Sequence, residues 1–173
     1  MNPYGYFKVA GAIPSVGVAD CALNAERHIG LIRRAAERGA ELVVFPELSL
    51  TGYTCGDLFL QPALMRGAEE ALKQVMHQTA DCPIVAVVGL PVVAGGRRYN
   101  CAAAFAQGEL LGVVPKSHLP NYGEFYEERW FASGAEGRGS LIELCGEEVP
   151  FGCDVMLGIN GVECGIEICE DLW

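Results

Sequence analysis

The chain has 173 residues, with 12 Lys+Arg against 22 Asp+Glu, a formal net charge of −10 and 51% hydrophobic residues. Lysine occurs only at positions 8, 73 and 116, and no basic run exceeds two residues, which excludes a phosphate-reading nucleic-acid surface. The apolar content excludes disorder, and the length suits one compact domain with a buried core.

The first strand is expected over Phe7–Ala10. Asp20 is a candidate N-cap for a helix from Ala22 to Glu37, where Ala25, Ile29, Ile32 and Ala36 recur at helical spacing. Gly39 ends that helix, and Glu41–Phe45 follows as a buried strand. A second helix is predicted over Leu64–Gln78, then a strand over Ile84–Leu90. Tyr99–Ala106 and Glu109–Val114 read as a hairpin about Gln107-Gly108. Asn121–Gly139 is rich in Gly, Glu and aromatic residues and is expected to be an irregular functional loop. Further strands are predicted at Ser140–Leu144, Asp154–Ile159 and Val162–Ile168, the last two joined by Asn160-Gly161. The order of strands and helices points to a layered α/β fold.

The richest apolar run, Ile84 to Ala94, contains Gly89 and Pro91 and is too short for a bilayer span of ~20 residues, so no membrane segment is predicted. Met1-Asn2-Pro3-Tyr4 lacks the basic lead of a signal peptide. The eight cysteines include no CxxC pair and lie mostly in apolar runs, so reduced thiols in a cytoplasmic protein are expected, without a metal site. The chain stops on Ile168-Cys169-Glu170-Asp171-Leu172-Trp173, an apolar strand end, which suggests a piece of a longer chain.

Three residues at predicted strand ends could carry chemistry. Glu47, in Phe45-Pro46-Glu47-Leu48-Ser49-Leu50-Thr51-Gly52-Tyr53, falls at the carboxyl edge of the sheet, where α/β sites form. Lys116, in Val114-Pro115-Lys116-Ser117-His118-Leu119-Pro120, follows an apolar strand and can be held with its charge aimed at an acid. Cys169, in Glu167-Ile168-Cys169-Glu170-Asp171, sits where a strand leaves the sheet, with backbone N–H groups following it. Each has a plainer reading: a solvated loop carboxylate, a lysine reaching for water, one more buried thiol. A thiol attacks only as thiolate, so a reactive Cys169 needs a base and a cation, and Glu47 and Lys116 would supply both. A Cys169–His118 pair is a further option, which would need His118 to share the pocket with Lys116.

Together the segments resemble the nitrilase superfamily of carbon–nitrogen hydrolases, whose motifs place a Glu, a Lys and a Cys after successive strands. The stretches Phe45–Tyr53, Pro115–Arg129 and Glu167–Trp173 are similar, more narrowly, to the amino-terminal glutaminase domains of the glutamine-dependent NAD⁺ synthetase branch. The resemblance implies an α-β-β-α sandwich that is incomplete in this chain. Residues 1–173 would be the first part of a glutamine amidohydrolase domain, with the remainder and a C-terminal ATP-dependent synthetase domain beyond it. It implies Cys169 as nucleophile, Glu47 as general base and Lys116 as the cation facing the oxyanion. Tyr122 and Glu170 would read the α-amino and carboxylate end of glutamine or help build the pocket, and Tyr53 would line that pocket or the ammonia exit. Glu127 would support the lysine, although Glu128 beside it leaves the register open. No cofactor is implied here; ATP and Mg²⁺ would serve the synthetase domain. A homo-oligomer is also implied. The alternatives are a stand-alone amidase acting on another small amide, and a non-catalytic interaction domain.

Overall fold

Residues 5–137 and 139–173 are described by a computed structural model of the chain. Met1–Tyr4, which bear on the signal-peptide expectation, and Arg138 of the predicted loop lie outside them. Helix α1 (Cys21–Glu37) begins where the Asp20 carboxylate accepts the Leu23 N–H at 3.1 Å, and it stops before Gly39, whose φ of +73° suits a residue without a Cβ. Helix α2 (Pro62–Gln78) starts two residues earlier than predicted, because proline is well accommodated in a first helical turn. The two helices pack on each other. Their inner faces bury Ala25, Ile29, Ile32 and Ala35 from α1 and Leu64, Ala68, Leu72 and Val75 from α2. Fully burying one such Leu or Ile is worth roughly 1.5–3 kcal/mol.

The strands are β1 (Val9–Gly11), β2 (Leu42–Val44), β3 (Val85–Ala94), β4 (Arg97–Ala106), β5 (Glu109–Pro115), β6 (Ser140–Leu144), β7 (Glu147–Phe151), β8 (Leu157–Ile159) and β9 (Val162–Cys164). The main sheet has the order β1-β2-β3-β4-β5-β7-β6. β1, β2 and β3 run parallel, joined by the crossovers that hold α1 and α2. β3, β4 and β5 form an antiparallel meander, and β7 lies parallel to β5. Pro91 is tolerated in β3 because β2 pairs only as far as Val87, so the proline has no second ladder to break.

Alternation sorts the sheet into two faces. Val43, Ala86, Val88, Leu90, Ala103 and Phe105 join the core shared with the helices. Leu42, Val87, Ala102 and Ala104 face the other way, against Leu157 and Ile159 of the β8–β9 hairpin and against Ile168. That second layer leaves Val9 and Val44 52% and 38% exposed. The result is helices, sheet, and part of a further β layer, as the sandwich expectation requires. Several predicted strands are shorter than expected: β2 keeps Leu42–Val44 of Glu41–Phe45, and the hairpin begins at Leu157 rather than Asp154 and ends at Cys164 rather than Ile168. β7, which carries Glu147, Glu148 and Pro150, was not predicted. Among the described residues no helix is long and apolar enough to cross a membrane.

Candidate active site

Glu47 stands on a bend that leaves the end of β2. The bend is laid on β3: Phe45 N–H donates to the Val87 carbonyl at 2.9 Å and Leu50 N–H to the Gly89 carbonyl at 3.0 Å. It closes on itself through Gly52 N–H to Leu48 O at 2.7 Å, with Leu48 at a φ of +51°. Beneath it lies His28, fully buried and stacked on Phe45 with ring centroids 4.3 Å apart. Burial pushes the His28 pKa down to about 4, so the ring is neutral at pH 7. Its Nδ1 lies 2.6 Å from the Asn24 carbonyl and must carry the proton, which leaves Nε2 to accept from Ser49 Oγ at 2.9 Å. Asn24 Nδ2 adds a bond to Leu50 O at 3.1 Å.

Lys116 follows the last residue of β5. Its N–H donates to Asn100 O at 2.8 Å, and its carbonyl accepts from Gly134 N–H at 2.8 Å. The side chain is wholly buried, and Nζ sits 2.7 Å from Glu47 Oε1 and 2.8 Å from Glu127 Oε1. Burial alone would lower its pKa, but hydrogen bonds to Glu127 and Glu47 and their charges outweigh that and hold it above the usual lysine value. Two further donors complete the cluster. Asn100 Nδ2 gives to Glu47 Oε1 at 2.5 Å and to Glu127 Oε2 at 3.4 Å, and Tyr53 OH gives to Glu127 Oε1 at 2.7 Å. Burial, then the Glu127 hydrogen bond and charge, hold the Tyr53 phenol well above its usual pKa, so it stays a donor. Glu127, only 1% exposed, is the acid that meets the lysine, whereas Glu128 accepts from Asn121 Nδ2 at 3.0 Å near the surface. The segment carrying Glu127 is fastened to Tyr53–Leu60, a 3-10 stretch, by Asp57, which accepts from Arg129 Nε at 2.6 Å and Trp130 Nε1 at 3.0 Å.

Cys169 opens a 3-10 turn, Cys169–Leu172, with a φ of +51°. For a residue with a Cβ this is an uncommon conformation, of the kind kept where a side chain must be aimed. The residue shares a narrow cleft of about 110 Å³ with Glu47, Phe45, Gly89 and Ile168. Partial burial and the Glu47 charge push its thiol pKa up, while Lys116 and a hydrogen bond from the Glu170 N–H pull the other way. The sulfur thus lies in one cleft with the Glu47 carboxylate and feels the charge of the Lys116 ammonium. Tyr122 OH donates to Glu170 Oε1 at 2.8 Å at the rim of a wider hollow of about 570 Å³, which Ser117, His118 and Phe131 also line. His118 is 70% exposed and turns its Nδ1 toward Asp171 Oδ1 at 3.2 Å.

The structure thus brings Glu47, Lys116 and Glu127 into direct contact and sets Cys169 in the same cleft as Glu47. It joins Tyr53 to Glu127, and Tyr122 to Glu170. Sequence reasoning missed Asn100, His28 and Asp171. Asn100 and His28 did carry a signal: each is a polar residue inside an otherwise apolar strand or helix face. Among the described residues no group of three or more His, Cys, Asp or Glu is arranged to hold a metal ion.

A family model described as carbon-nitrogen hydrolase matches residues 9–173. The glutamine-dependent NAD(+) synthetase of Mycobacterium tuberculosis is 40% identical over 173 residues, covering 98% of this chain and 25% of the relative. That of Xylella fastidiosa is 37% identical over 169 residues, covering 97% of this chain and 28% of the relative. Among solved structures, the glutamine-dependent NAD(+) synthetase of Cytophaga hutchinsonii superposes with a TM-score of 0.85 at 31% identity, covering 95% of this chain and 28% of that one. An amidase from Nesterenkonia superposes with a TM-score of 0.64 at 24% identity, a likeness of fold. The chain spans about a quarter of the length of the synthetases it matches. With a buried lysine clamped between two glutamates, a cysteine on a strained turn beside them, and a family match over nearly every residue, the chain belongs to the carbon–nitrogen hydrolases.

Proposed function

We propose that this part of the protein hydrolyses the side-chain amide of glutamine through a thioester on Cys169. Glu47 takes the thiol proton as Sγ attacks the amide carbon. The oxyanion faces the Lys116 ammonium and the Glu170 N–H. Glu47 returns the proton to the nitrogen, the C–N bond breaks and ammonia leaves. Water, deprotonated by Glu47, then attacks the thioester, giving glutamate and the free thiol. Tyr122 and Glu170 are assigned to the amino-acid end of the substrate, Tyr53 to the pocket wall, and Glu127 to support of Lys116. The observation that carries this reading is the Lys116 Nζ, fixed within 2.8 Å of both Glu47 and Glu127 next to the Cys169 cleft.

The likeness to glutamine-dependent NAD⁺ synthetases supports the choice of glutamine over other amides. In the whole protein the ammonia would pass to a C-terminal synthetase domain that uses ATP and Mg²⁺ to convert deamido-NAD⁺ to NAD⁺. Residues 1–173 would form the first part of the glutaminase domain, need no cofactor of their own, and work in a cytoplasmic homo-oligomer. The test is ammonia release from glutamine by the intact protein and by its Cys169→Ala variant. The reading expects release that the substitution abolishes; undiminished release by Cys169→Ala refutes it.

A further inference from the structure

We infer that Asp171 is a positioning residue: its carboxylate fastens the Cys169 turn to the strand end carrying Lys116, and so sets where the sulfur stands relative to the ammonium. Oδ1 accepts the backbone N–H of Ser117 at 2.9 Å and of His118 at 2.7 Å. Oδ2 accepts the N–H of Ile168 at 3.3 Å. Ser117 directly follows Lys116, and Ile168 directly precedes Cys169. One carboxylate thus joins the chain neighbours of both reacting groups across more than fifty residues of sequence.

The geometry exceeds what a cap for a short turn requires. A cap needs only the Ile168 bond; the bonds to Ser117 and His118 reach a different segment. Apart from the bonds that Asp171 itself accepts, the Lys116–Tyr126 segment meets the chain from Ile168 onward, among the described residues, through Tyr122 to Glu170 at the exposed rim. The Asp171 side chain is 11% exposed, so the bonds that its carboxylate accepts from Ser117 and Ile168 are charge-assisted and partly shielded from water. His118, on the exposed side, adds its ring to the same oxygen. Cys169 also holds a left-handed φ that its turn must maintain. Without the clamp the turn is free to relax, and the sulfur drifts from the lysine that favours its ionisation.

The inference rests on the glutaminase reading only for the meaning of turnover; its test does not. In the intact protein, the rate of Cys169 alkylation by iodoacetamide is followed from pH 6 to 10 on the Cys169 peptide by mass spectrometry. Melting temperature and ammonia release from glutamine are measured alongside. The other ionisable groups around that sulfur, Glu47, Lys116, Glu127, Tyr53, Tyr122, Glu167 and Glu170, are unchanged in the variants. Loss of the Asp171 charge two residues away would by itself lower the thiol pKa, opposite to the shift that a loosened clamp produces. For Asp171→Ala, alkylation at pH 7.5 is expected to slow about tenfold, with the labelling midpoint moved to higher pH and the plateau at high pH retained. Asp171→Asn keeps an oxygen for Ser117 and His118 but turns a donor toward the Ile168 N–H. It is expected between the two, about threefold slower than wild type. A folded Asp171→Ala protein with the wild-type labelling profile overturns the inference. If that variant does not fold, an Asp171→Asn protein labelled at the wild-type rate overturns it. Labelling that depends on Asp171 in a protein releasing no ammonia from glutamine would uphold the clamp and sink the glutaminase reading. Ammonia release with labelling indifferent to Asp171 would do the reverse.

Discussion

Gly89 of β3 lies so close under the Glu47 bend that a Cβ there would stand 2.3 Å from the Leu48 nitrogen and 2.8 Å from the Glu47 carbonyl carbon. Both atoms are backbone, with no flexible side chain to give way. The sheet and the candidate general base are therefore held at a separation that only glycine permits. Gly89→Ala should lift the bend and carry Glu47 away from Lys116. We expect ammonia release to fall at least as far as in Glu47→Gln, with overpacking costing about 1–3 kcal/mol in a urea melt. A variant with wild-type turnover would show that the bend has slack that its contacts do not suggest.

Lys116 is the cation shared by two carboxylates in a nearly dry cluster, so its loss should cost more than a surface ion pair. Lys116→Met leaves Glu47 and Glu127 facing each other without a counter-charge, a defect worth about 3–5 kcal/mol. Adding Glu127→Gln to that variant should restore part of the lost stability, since one of the two facing charges is gone. The same Glu127→Gln change in the wild type should instead destabilise. This reversal of sign in a double-mutant cycle is the expected result; equal effects in both backgrounds would mean that the three groups are not coupled.

Much of the site was legible because Glu47 and Lys116 stand just past buried strands. Cys169 was expected at a strand end too, but that strand stops at Cys164 and an irregular stretch carries the chain on to the Cys169 turn. Apolar runs at Glu41–Phe45 and Glu109–Val114 announced buried strands, and a charged residue just beyond such a run must lie at the sheet edge. The partner of Lys116 was legible only as a choice, since Glu127 and Glu128 are adjacent and chemically alike. Packing decides between them: Glu127 lies under Tyr53 and Asn100, and Glu128 meets Asn121 near the surface. β7 escaped notice because Glu147, Glu148 and Pro150 are unusual in a strand. It pairs with β5 only at Val113–Phe151, while β6 supplies most of its ladder, so its polar residues are tolerated near the sheet edge. The roles of Asn100 and Asp171 come from partners dozens of residues away, which no local pattern encodes.

Tyr53 offers a test that separates support from substrate contact. Its hydroxyl donates to Glu127 Oε1, one bond removed from Lys116. Tyr53→Phe removes a hydrogen bond to a buried carboxylate, worth about 1.5–3 kcal/mol. If the phenol acts through Glu127, kcat for ammonia release should fall while KM for glutamine holds. A rise in KM at unchanged kcat would place the hydroxyl on the substrate instead.

His28 ties the stability of the Glu47 bend to pH. Its pKa falls from 6.5 in the unfolded chain to about 4 in the fold, because burial disfavours the charged ring. Between those values the unfolded chain binds more protons than the folded one, so stability falls as the pH falls. The contribution is fully present above pH 6.5 and is lost progressively down to about 4, a total on the order of 3 kcal/mol. Protonation would also place a donor on Nε2, which at neutral pH accepts from Ser49 within the bend. Urea midpoints measured from pH 7.5 to 4.5 should therefore decline, and His28→Gln should flatten the decline while starting from a lower midpoint at pH 7.5. An unaltered slope in that variant would show that His28 is not the source of the decline, since a carboxylate such as Asp81, which Arg33 holds below the usual range, loses its stabilising effect only at lower pH than this window.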